Sequence, residues 1–267
     1  MTAEEALSLS ARLTALTVLV SSLEYLANTR VLRDDGLMNW PVGRLRMMTF
    51  STGWSGTFFD ALLRYPNVLV LLVLRVALAA AVLVGPISWT LAPSILLGLY
   101  LLMFLSNARS HYGHDGADQL AGFVMLGIGV SGLAPTALSR AACLLFFTFQ
   151  GCLAYATAGW CKLPVRGWRD GTYLAAVLTT HIYGKPPLGR FLSRHPSFAK
   201  LVSRSVLTWE CAFPLALVLP HSMAFGLLAL GVVFHVLNAF VMGLNCFLWS
   251  FLAVYPPIIW TIQHRGW

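Results

Sequence analysis

The segment from Gln150 to Tyr173 reads QGCLAYATAGWCKLPVRGWRDGTY. Its first part ends an apolar run that extends from Ala141 to Trp160, and its second part is a polar turn. A run of about 20 apolar residues is long enough to cross the hydrocarbon core of a bilayer as a helix. The segment therefore predicts a membrane-spanning helix that places one lysine, Lys162, at the membrane boundary.

The composition of the whole chain is typical of a polytopic membrane protein. Of its 267 residues, 58% are hydrophobic and 10% are charged, whereas a soluble domain carries about 25% charged residues. At about 20 residues per span, this length accommodates about eight spans. We therefore predict a single transmembrane domain over residues 1–267. We interpret the net charge of +8 as loop charge set by orientation and anionic lipid, and not as nucleic-acid binding.

The predicted fold class is all-α, a bundle of about eight membrane spans with interfacial helices or half-helices. The last apolar run, 222–263, holds 42 residues without Lys, Arg, Asp or Glu, so we predict a break near Gly243–Asn245. The connections 29–65 and 172–183 are interpreted as interfacial, re-entrant or half-helical segments. The apolar runs are 9–28, 66–86, 88–106, 119–135, 141–160, 205–220 and 222–263.

Lys162 is the first candidate for a catalytic residue. An ammonium in apolar surroundings loses hydration, which favours the neutral amine, and such a lysine can act as a general base or a Schiff-base nucleophile. Trp160 and Trp168 flank Lys162 in the sequence. The alternative is that Lys162 simply extends to the lipid headgroups, as lysines at helix ends usually do.

Other polar residues interrupt the apolar runs. A carboxylate such as Glu210 is costly near the apolar zone and is a functional candidate, although pairing with a Lys or Arg is an alternative. His235 and Asn238 lie one helical turn apart and favour a site inside the bundle, although a buried histidine can also be an ordinary core residue. With Gln150 and Tyr155, this pair could position a polar headgroup or polarise a carbonyl.

The densest polar cluster precedes the run at 119–135. It contains His111, His114, Asp115 and Asp118, interspersed with two glycines. The glycines favour a turn that leads into the next span, with Asp115 or Asp118 as the helix cap. We favour a membrane-boundary turn that also lines a site, and the alternative is a metal-dependent hydrolase built on the HxxHD spacing.

A basic stretch follows at residues 184–204. Its charged residues are interspersed with apolar ones, which is typical of a segment that contacts lipid headgroups or a partner protein. They are Lys185, Arg190, Arg194, Lys200 and Arg204.

Three blocks of these residues resemble the HTTM family, the membrane core shared with vitamin K-dependent gamma-carboxylase. The first is similar to the lysine motif of the family, and the third is matched more loosely. The blocks are Gln150…Tyr155…Ala158-Gly159-x-x-Lys162-Leu163…Trp168-x-x-Gly171, then Phe234-His235-x-x-Asn238 with the run ending at Tyr255-Pro256, and the His111–Leu120 turn.

The resemblance implies an intramembrane enzyme that uses a reduced quinone of the vitamin K or menaquinol type as cofactor. Lys162 then corresponds to the base that deprotonates the hydroquinone, and His114 to the histidine of the carboxylation step, although His111 competes for that place. His235 is the third implied catalytic residue. The residues implied around the cofactor are Gln150, Tyr155, Trp168, Glu210, Asn238 and His111.

The carboxylase itself carries a large extra-membrane region, for which the predicted spans leave no room. The chain looks more like the bacterial branch that contains the membrane subunit for maturation of the sporulation-delaying protein. That likeness implies location in the bacterial cytoplasmic membrane among membrane lipids, a peptide or precursor-protein substrate, and a small soluble partner subunit. The alternative from another class is a non-catalytic chaperone, immunity or export subunit that docks a soluble protein on the basic stretch 185–204.

Overall fold

The computed structural model describes residues 1–46, 53–85, 92–109 and 115–265, and within these ranges the regular structure is helical, without a strand. The all-α prediction is therefore confirmed. The α-helices are α1 (Ala3–Ala27), α2 (Trp40–Gly43), α3 (Gly53–Leu63), α4 (Val68–Val84), α5 (Ala92–Arg109), α6 (Gly116–Ser131), α7 (Ala137–Lys162), α8 (Arg166–Arg169), α9 (Thr172–Thr179), α10 (Pro186–Arg194), α11 (Pro196–Ala212), α12 (His221–Met242), α13 (Asn245–Leu252) and α14 (Tyr255–His264).

Several of these helices are long and apolar enough to cross a membrane, as in a multi-pass membrane protein. Five pass by length and composition in the described part of the chain, namely α1, α5, α7, α12 and the segment Asn245–His264 formed by α13 and α14. A sixth is possible if α3 and α4, which are bent by 64° at their junction, form one span. The prediction of about eight spans is not confirmed. The run 205–220 falls in α11, which begins within the basic stretch, and in the 3-10 turn after it.

The ends of two spans agree with the sequence prediction. Helix α7 ends at Lys162. Helix α12 ends at Met242 because Gly243 adopts a left-handed conformation with φ of 70°, and its amide donates to the carbonyls of Ala239 and Asn238. Glycine is favoured at this position because a Cβ would be strained there. The predicted break near Gly243–Asn245 is therefore confirmed.

The chain forms two units of packed helices. One comprises Leu7–Cys143, and the other comprises Met1–Ala6 together with Leu144–Trp267. In the first unit, α5 packs against both α4 and α6. The contact between α5 and α6 is close at Gly129, where a Cβ would collide with the side chain of Leu97. Small residues permit this approach where helices pack in a membrane.

Arg109, the last residue of α5, anchors the connection between α1 and α4. Its side chain is buried, with 2% exposure. Its guanidinium donates to the carbonyl of Leu63 at 2.8 Å and to the carbonyls of Met38 and Leu32. Because these carbonyls belong to separate segments, one side chain fixes the connection 29–46 and α3 against the end of α5.

We expect Arg109→Lys to lower the free energy of unfolding by about 2–4 kcal/mol, since a single ammonium cannot reach three carbonyls and each unpaired one costs about 1–3 kcal/mol. Chemical unfolding of the detergent-solubilised protein measures this. Arg64→Lys is the matched control, because Arg64 forms an exposed pair with Asp34 and such pairs contribute about 0–1 kcal/mol. Equal stability of the two variants would contradict the anchoring role.

In the second unit, one face of α7 contacts the helices that follow it. A Cβ on Gly151 would lie 2.9 Å from Val254, and a Cβ on Gly159 would lie 2.7 Å from the sulfur of Cys211. Tyr155 lies between these glycines and Lys162 follows them, at spacings of four, four and three residues that keep all four on one helical face. This face therefore holds two polar side chains, Tyr155 between the two points of close contact and Lys162 three residues beyond the second.

Helices α8 to α11 form a further layer of the second unit, which we call the α8–α11 layer. Its core consists of Ala175, Leu178, Leu192 and Ala199. The carboxylate of Asp170 accepts hydrogen bonds from the Thr172 hydroxyl and amide at the start of α9. These hydrogen bonds lower the pKa of Asp170 below its ordinary value.

Candidate functional site

The centre of the candidate site is an ion pair between Lys162 and Glu210. The Nζ of Lys162 donates to Oε1 of Glu210 at 2.7 Å and to Oε2 at 2.9 Å. The side chain of Glu210 is 4% exposed and that of Lys162 is 29% exposed. The pair forms because α7 ends at Lys162 and α11 approaches α7 at Gly159, where an added Cβ would lie 3.0 Å from the Cβ of Glu210. Glu210 therefore pairs with a basic residue, which is one of the two alternatives that the sequence predicts for it.

Trp168 contacts the same ammonium. Its ring centroid lies 5.5 Å from Nζ of Lys162, which is within the range of cation–π attraction. Helix α8 carries Trp168, and the hydroxyl of Ser203 on α11 donates to the Trp168 carbonyl. The ammonium is thus held by a carboxylate and an indole ring, both positioned by the α8–α11 layer.

The ion pair changes the chemistry expected of Lys162. The carboxylate attracts the ammonium at this distance, and an ammonium has no lone pair with which to accept a proton. The sequence suggested a lysine in purely apolar surroundings, since the next acidic residue along the chain is Asp170. In the structure, Lys162 can act as a base only after its proton has moved to Glu210 or to water.

A second polar group lies deeper on the same face of α7. The hydroxyl of Tyr155 is 2.7 Å from Nε2 of His235 and 2.9 Å from the hydroxyl of Tyr255. His235 is 1% exposed, and its Nδ1 has no hydrogen-bond partner among the described residues. We call these three residues the Tyr155–His235–Tyr255 cluster.

Aromatic rings enclose this cluster. Tyr155 packs against Phe213 and Trp209 at centroid distances of 3.9 and 5.0 Å, and His235 stacks on Phe251 at 4.4 Å. The Tyr255 hydroxyl occupies the space that a Cβ at position 231 would need. The cluster is therefore a closed part of the core, in contrast to the partly exposed Lys162.

The structure brings together some of the predicted site residues and leaves others apart. Lys162, Trp168 and Glu210 form one group, and Tyr155 and His235 belong to the other. Lys162 lies seven residues after Tyr155, which corresponds to about 10 Å along a helix. The side chains of Gln150 and Asn238 are half-buried, and in the described part of the chain they form no hydrogen bond with either group.

His111 and His114 lie outside the described residues. Asp115, which follows them, caps α6 by accepting from the amides of Ala117 at 2.8 Å and Asp118 at 3.3 Å, as the sequence predicted for this position. Within residues 1–46, 53–85, 92–109 and 115–265, no group of three or more His, Cys, Asp or Glu side chains is arranged to hold a metal ion.

Two residues of the core were not among the predicted site residues. Tyr255 is the first residue of α14, and its hydroxyl is the third polar group of the cluster. Trp209 precedes Glu210 on α11. The signal that could have identified Trp209 is its place beside a buried carboxylate. Tyr255 appears in the sequence only as the end of the second block, and its role in the cluster depends on a partner that lies 100 residues away in the chain.

Comparisons of the chain with protein-family models, with curated proteins and with solved structures find no match. The resemblance to the HTTM family therefore stays a prediction that rests on the residues quoted for it. The contacts of Lys162, Glu210 and Trp168 are the observations from which a function can be inferred.

Proposed function

We propose that the chain is an integral membrane enzyme of the bacterial cytoplasmic membrane in which Lys162 and Glu210 form the acid–base unit. One observation carries the proposal, namely that a lysine at the end of a candidate span donates to both oxygens of a carboxylate with 4% exposure. Burying two charges costs desolvation energy that can exceed their attraction. Stability is therefore a weak reason for this pair, and a chemical role is the better one.

The two partners differ in exposure, which suggests how a proton would move. Transfer of one proton from Lys162 to Glu210 leaves a neutral amine and a neutral carboxylic acid, and a low-dielectric environment favours uncharged forms. The amine then lies on the partly exposed side, where a substrate proton can reach it. Glu210 retains the transferred proton on the sealed side, and Trp168 limits the directions from which a substrate can approach.

A reduced quinone fits only the exposed side of this site. Lys162 offers an amine for a hydroxyl proton, and Trp168 offers an aromatic face for a ring. A bound quinol would supply an acidic hydroxyl and reducing electrons. The Tyr155–His235–Tyr255 cluster does not fit such a contact, because its side chains are at most 6% exposed and are packed by aromatic rings. We assign that cluster to the positioning of α7, α12 and α14.

The finer parts of the proposal rest on the family resemblance. They are the maturation of a secreted peptide or toxin, a precursor-protein substrate and a small soluble partner subunit. About eight spans would require α6 and the segment 205–220 to cross the membrane in addition to the six candidates. Helix α6 is a shorter apolar helix of 16 residues.

Mass spectrometry of the lipids that co-purify with the detergent-solubilised protein tests the enzyme proposal. We expect the wild type to retain a quinone in stoichiometric amount. Lys162→Arg is the matched variant, because arginine keeps the ion pair but does not lose its proton, so it should retain the quinone in a different redox state. If no quinone or other small molecule is enriched above bulk lipid in the wild type, the cofactor is wrong and a non-catalytic subunit becomes the better model.

A second measurement tests whether Glu210 controls the proton on Lys162. The chain has three lysines, and the other two, Lys185 and Lys200, are exposed. In the wild type we expect Lys162 to react with an amine-acylating reagent more slowly than the other two lysines, since its Nζ is bound to Glu210 and its side chain is only partly exposed. Glu210→Gln removes the negative charge that holds Nζ of Lys162 and should accelerate acylation of Lys162.

Peptide mass spectrometry reads this reaction at each lysine separately, so Lys185 and Lys200 serve as internal controls. Their rates should be equal in the wild type and in Glu210→Gln. An unchanged rate at Lys162 in the variant would show that the carboxylate does not control the reactivity of this amine.

A further inference from the structure

The outer face of α10 and of the first half of α11 carries a concentration of positive charge. Arg190 and Arg194 lie one turn apart on α10, Lys200 and Arg204 lie one turn apart on α11, and all four are exposed. The chain contains no Asp or Glu between Asp170 and Glu210. Of those two acids, Glu210 is buried with Lys162, and Asp170 pairs with Arg166 at 3.7 Å and lies close enough to Lys200 for that charge to help lower the pKa of the carboxyl.

The apolar residues of these helices are already packed inside the protein. Leu192 of α10 and Ala199 of α11 belong to the core of the α8–α11 layer, so the amphipathic pattern of the stretch is explained by internal packing. The outer face retains the four cations, of which Arg204 also donates its Nε to the carbonyl of Arg169 at 3.0 Å. It also carries two half-exposed rings, Phe191 and Phe198, whose centroids are 6.1 Å apart. This face therefore remains available to a partner with negative charge.

The position of the layer indicates which partner is present there. Val241 and Met242, the last residues of the candidate span α12, pack against the core of the α8–α11 layer. Helix α8 begins at Arg166, four residues after α7 ends at Lys162. The layer thus lies at the ends of two candidate spans, and the ends of membrane spans are where lipid headgroups begin.

We propose that the outer face of α10 and α11 binds the phosphate groups of anionic phospholipids in the adjoining leaflet. Guanidinium groups match phosphate geometry with two parallel hydrogen bonds. The rings of Phe191 and Phe198 suit the boundary between headgroups and acyl chains. The half-exposed rings and the location at the span ends favour a lipid surface over an acidic soluble protein. This inference is independent of the acid–base role of Lys162.

Native mass spectrometry of the full-length protein, equilibrated with equimolar phosphatidylcholine and phosphatidylglycerol, tests the proposal. Each basic residue near an anionic surface contributes roughly a fivefold preference. We therefore expect the wild type to retain phosphatidylglycerol over phosphatidylcholine by roughly tenfold or more at low salt. In Arg190→Gln/Arg194→Gln/Lys200→Gln this ratio should fall close to that of the bulk mixture.

The charge-conserving variant Arg190→Lys/Arg194→Lys/Lys200→Arg is the matched control and should keep most of the preference. The preference of the wild type should also decrease with salt, because screening weakens exposed charges. Absence of a preference in the wild type would overturn the proposal and leave an acidic protein as the partner of this face. An unchanged preference in the glutamine variant would overturn it as well. If the glutamine variant fails to fold, the lipid ratio and salt dependence of the wild type still decide.

Discussion

Replacing Lys162 by methionine is expected to lower the free energy of unfolding by about 2–3 kcal/mol. The variant leaves the Glu210 carboxylate buried without its partner, and breaking one side of a fully buried pair costs about 3–5 kcal/mol. We expect a smaller loss of stability here, because the Lys162 side chain is 29% exposed and water partly screens the attraction between the two charges. Unfolding of the solubilised protein by denaturant measures the loss.

The double variant Lys162→Met/Glu210→Met separates the structural role of the pair from its chemical role. Replacing both charges by apolar side chains of similar size is often neutral or stabilising, so the double variant should recover most of the stability lost in Lys162→Met. It has neither base nor acid at this site, so the redox state of the retained quinone should differ from that of the wild type.

Arg166→Met is the matched control for loss of a charge pair. Arg166 is 91% exposed and pairs with Asp170 at 3.7 Å, so its replacement should change stability by less than about 1 kcal/mol. If Lys162→Met is as stable as this control, Glu210 is already neutral or hydrated in the wild type. The acid–base unit would then lack its buried carboxylate.

The parts of the fold that the sequence predicts are those determined by local chemistry. The apolar run before Lys162 determines where α7 ends, Gly243 supplies the left-handed residue that stops α12, and Asp115 is a favoured residue at a helix start. Each of these features depends on residues within a few positions of one another. They can therefore be derived without knowledge of how helices pack.

The arrangement of the site depends on helix crossings, which the sequence does not reveal. Lys162 and Glu210 are 48 residues apart and meet because α11 approaches α7 at Gly159. The spacing of His235 and Asn238 suggested one polar stripe, but only His235 reaches Tyr155. In the basic stretch, the apolar residues pack in the core of the α8–α11 layer and the basic residues lie on its outer face. The sequence shows both sets but not that the apolar set is used for packing inside the protein.

Gly231→Ala is expected to lower the free energy of unfolding by about 3–5 kcal/mol. The added Cβ requires the space of the Tyr255 hydroxyl and would lie 3.0 Å from Cζ2 of Trp209. Overpacking of this kind costs about 1–3 kcal/mol. Displacement of the hydroxyl also breaks its bond to Tyr155, which leaves buried polar atoms unpaired at about 1–3 kcal/mol.

Tyr255→Phe tests this explanation because it removes the atom that collides with the new methyl group. Alone, it should cost about 1–2 kcal/mol for the lost hydrogen bond, and Tyr155 keeps its bond to His235. Combined with Gly231→Ala, it should make the loss smaller than the sum of the two single losses by at least about 1 kcal/mol. Such a difference in a double-mutant cycle is the signature of residues in direct contact.

Gly226→Ala provides the control on the same helix, since a Cβ at this position has no neighbour within 4 Å and alanine has the higher helix propensity. Its stability should equal or exceed that of the wild type. Additive losses for Gly231→Ala and Tyr255→Phe would mean that the hydroxyl does not fill this space, and the cluster would then be open to a small ligand. Coupled losses with a neutral control would instead support a closed cluster, so that substrate chemistry is confined to the exposed side of Lys162.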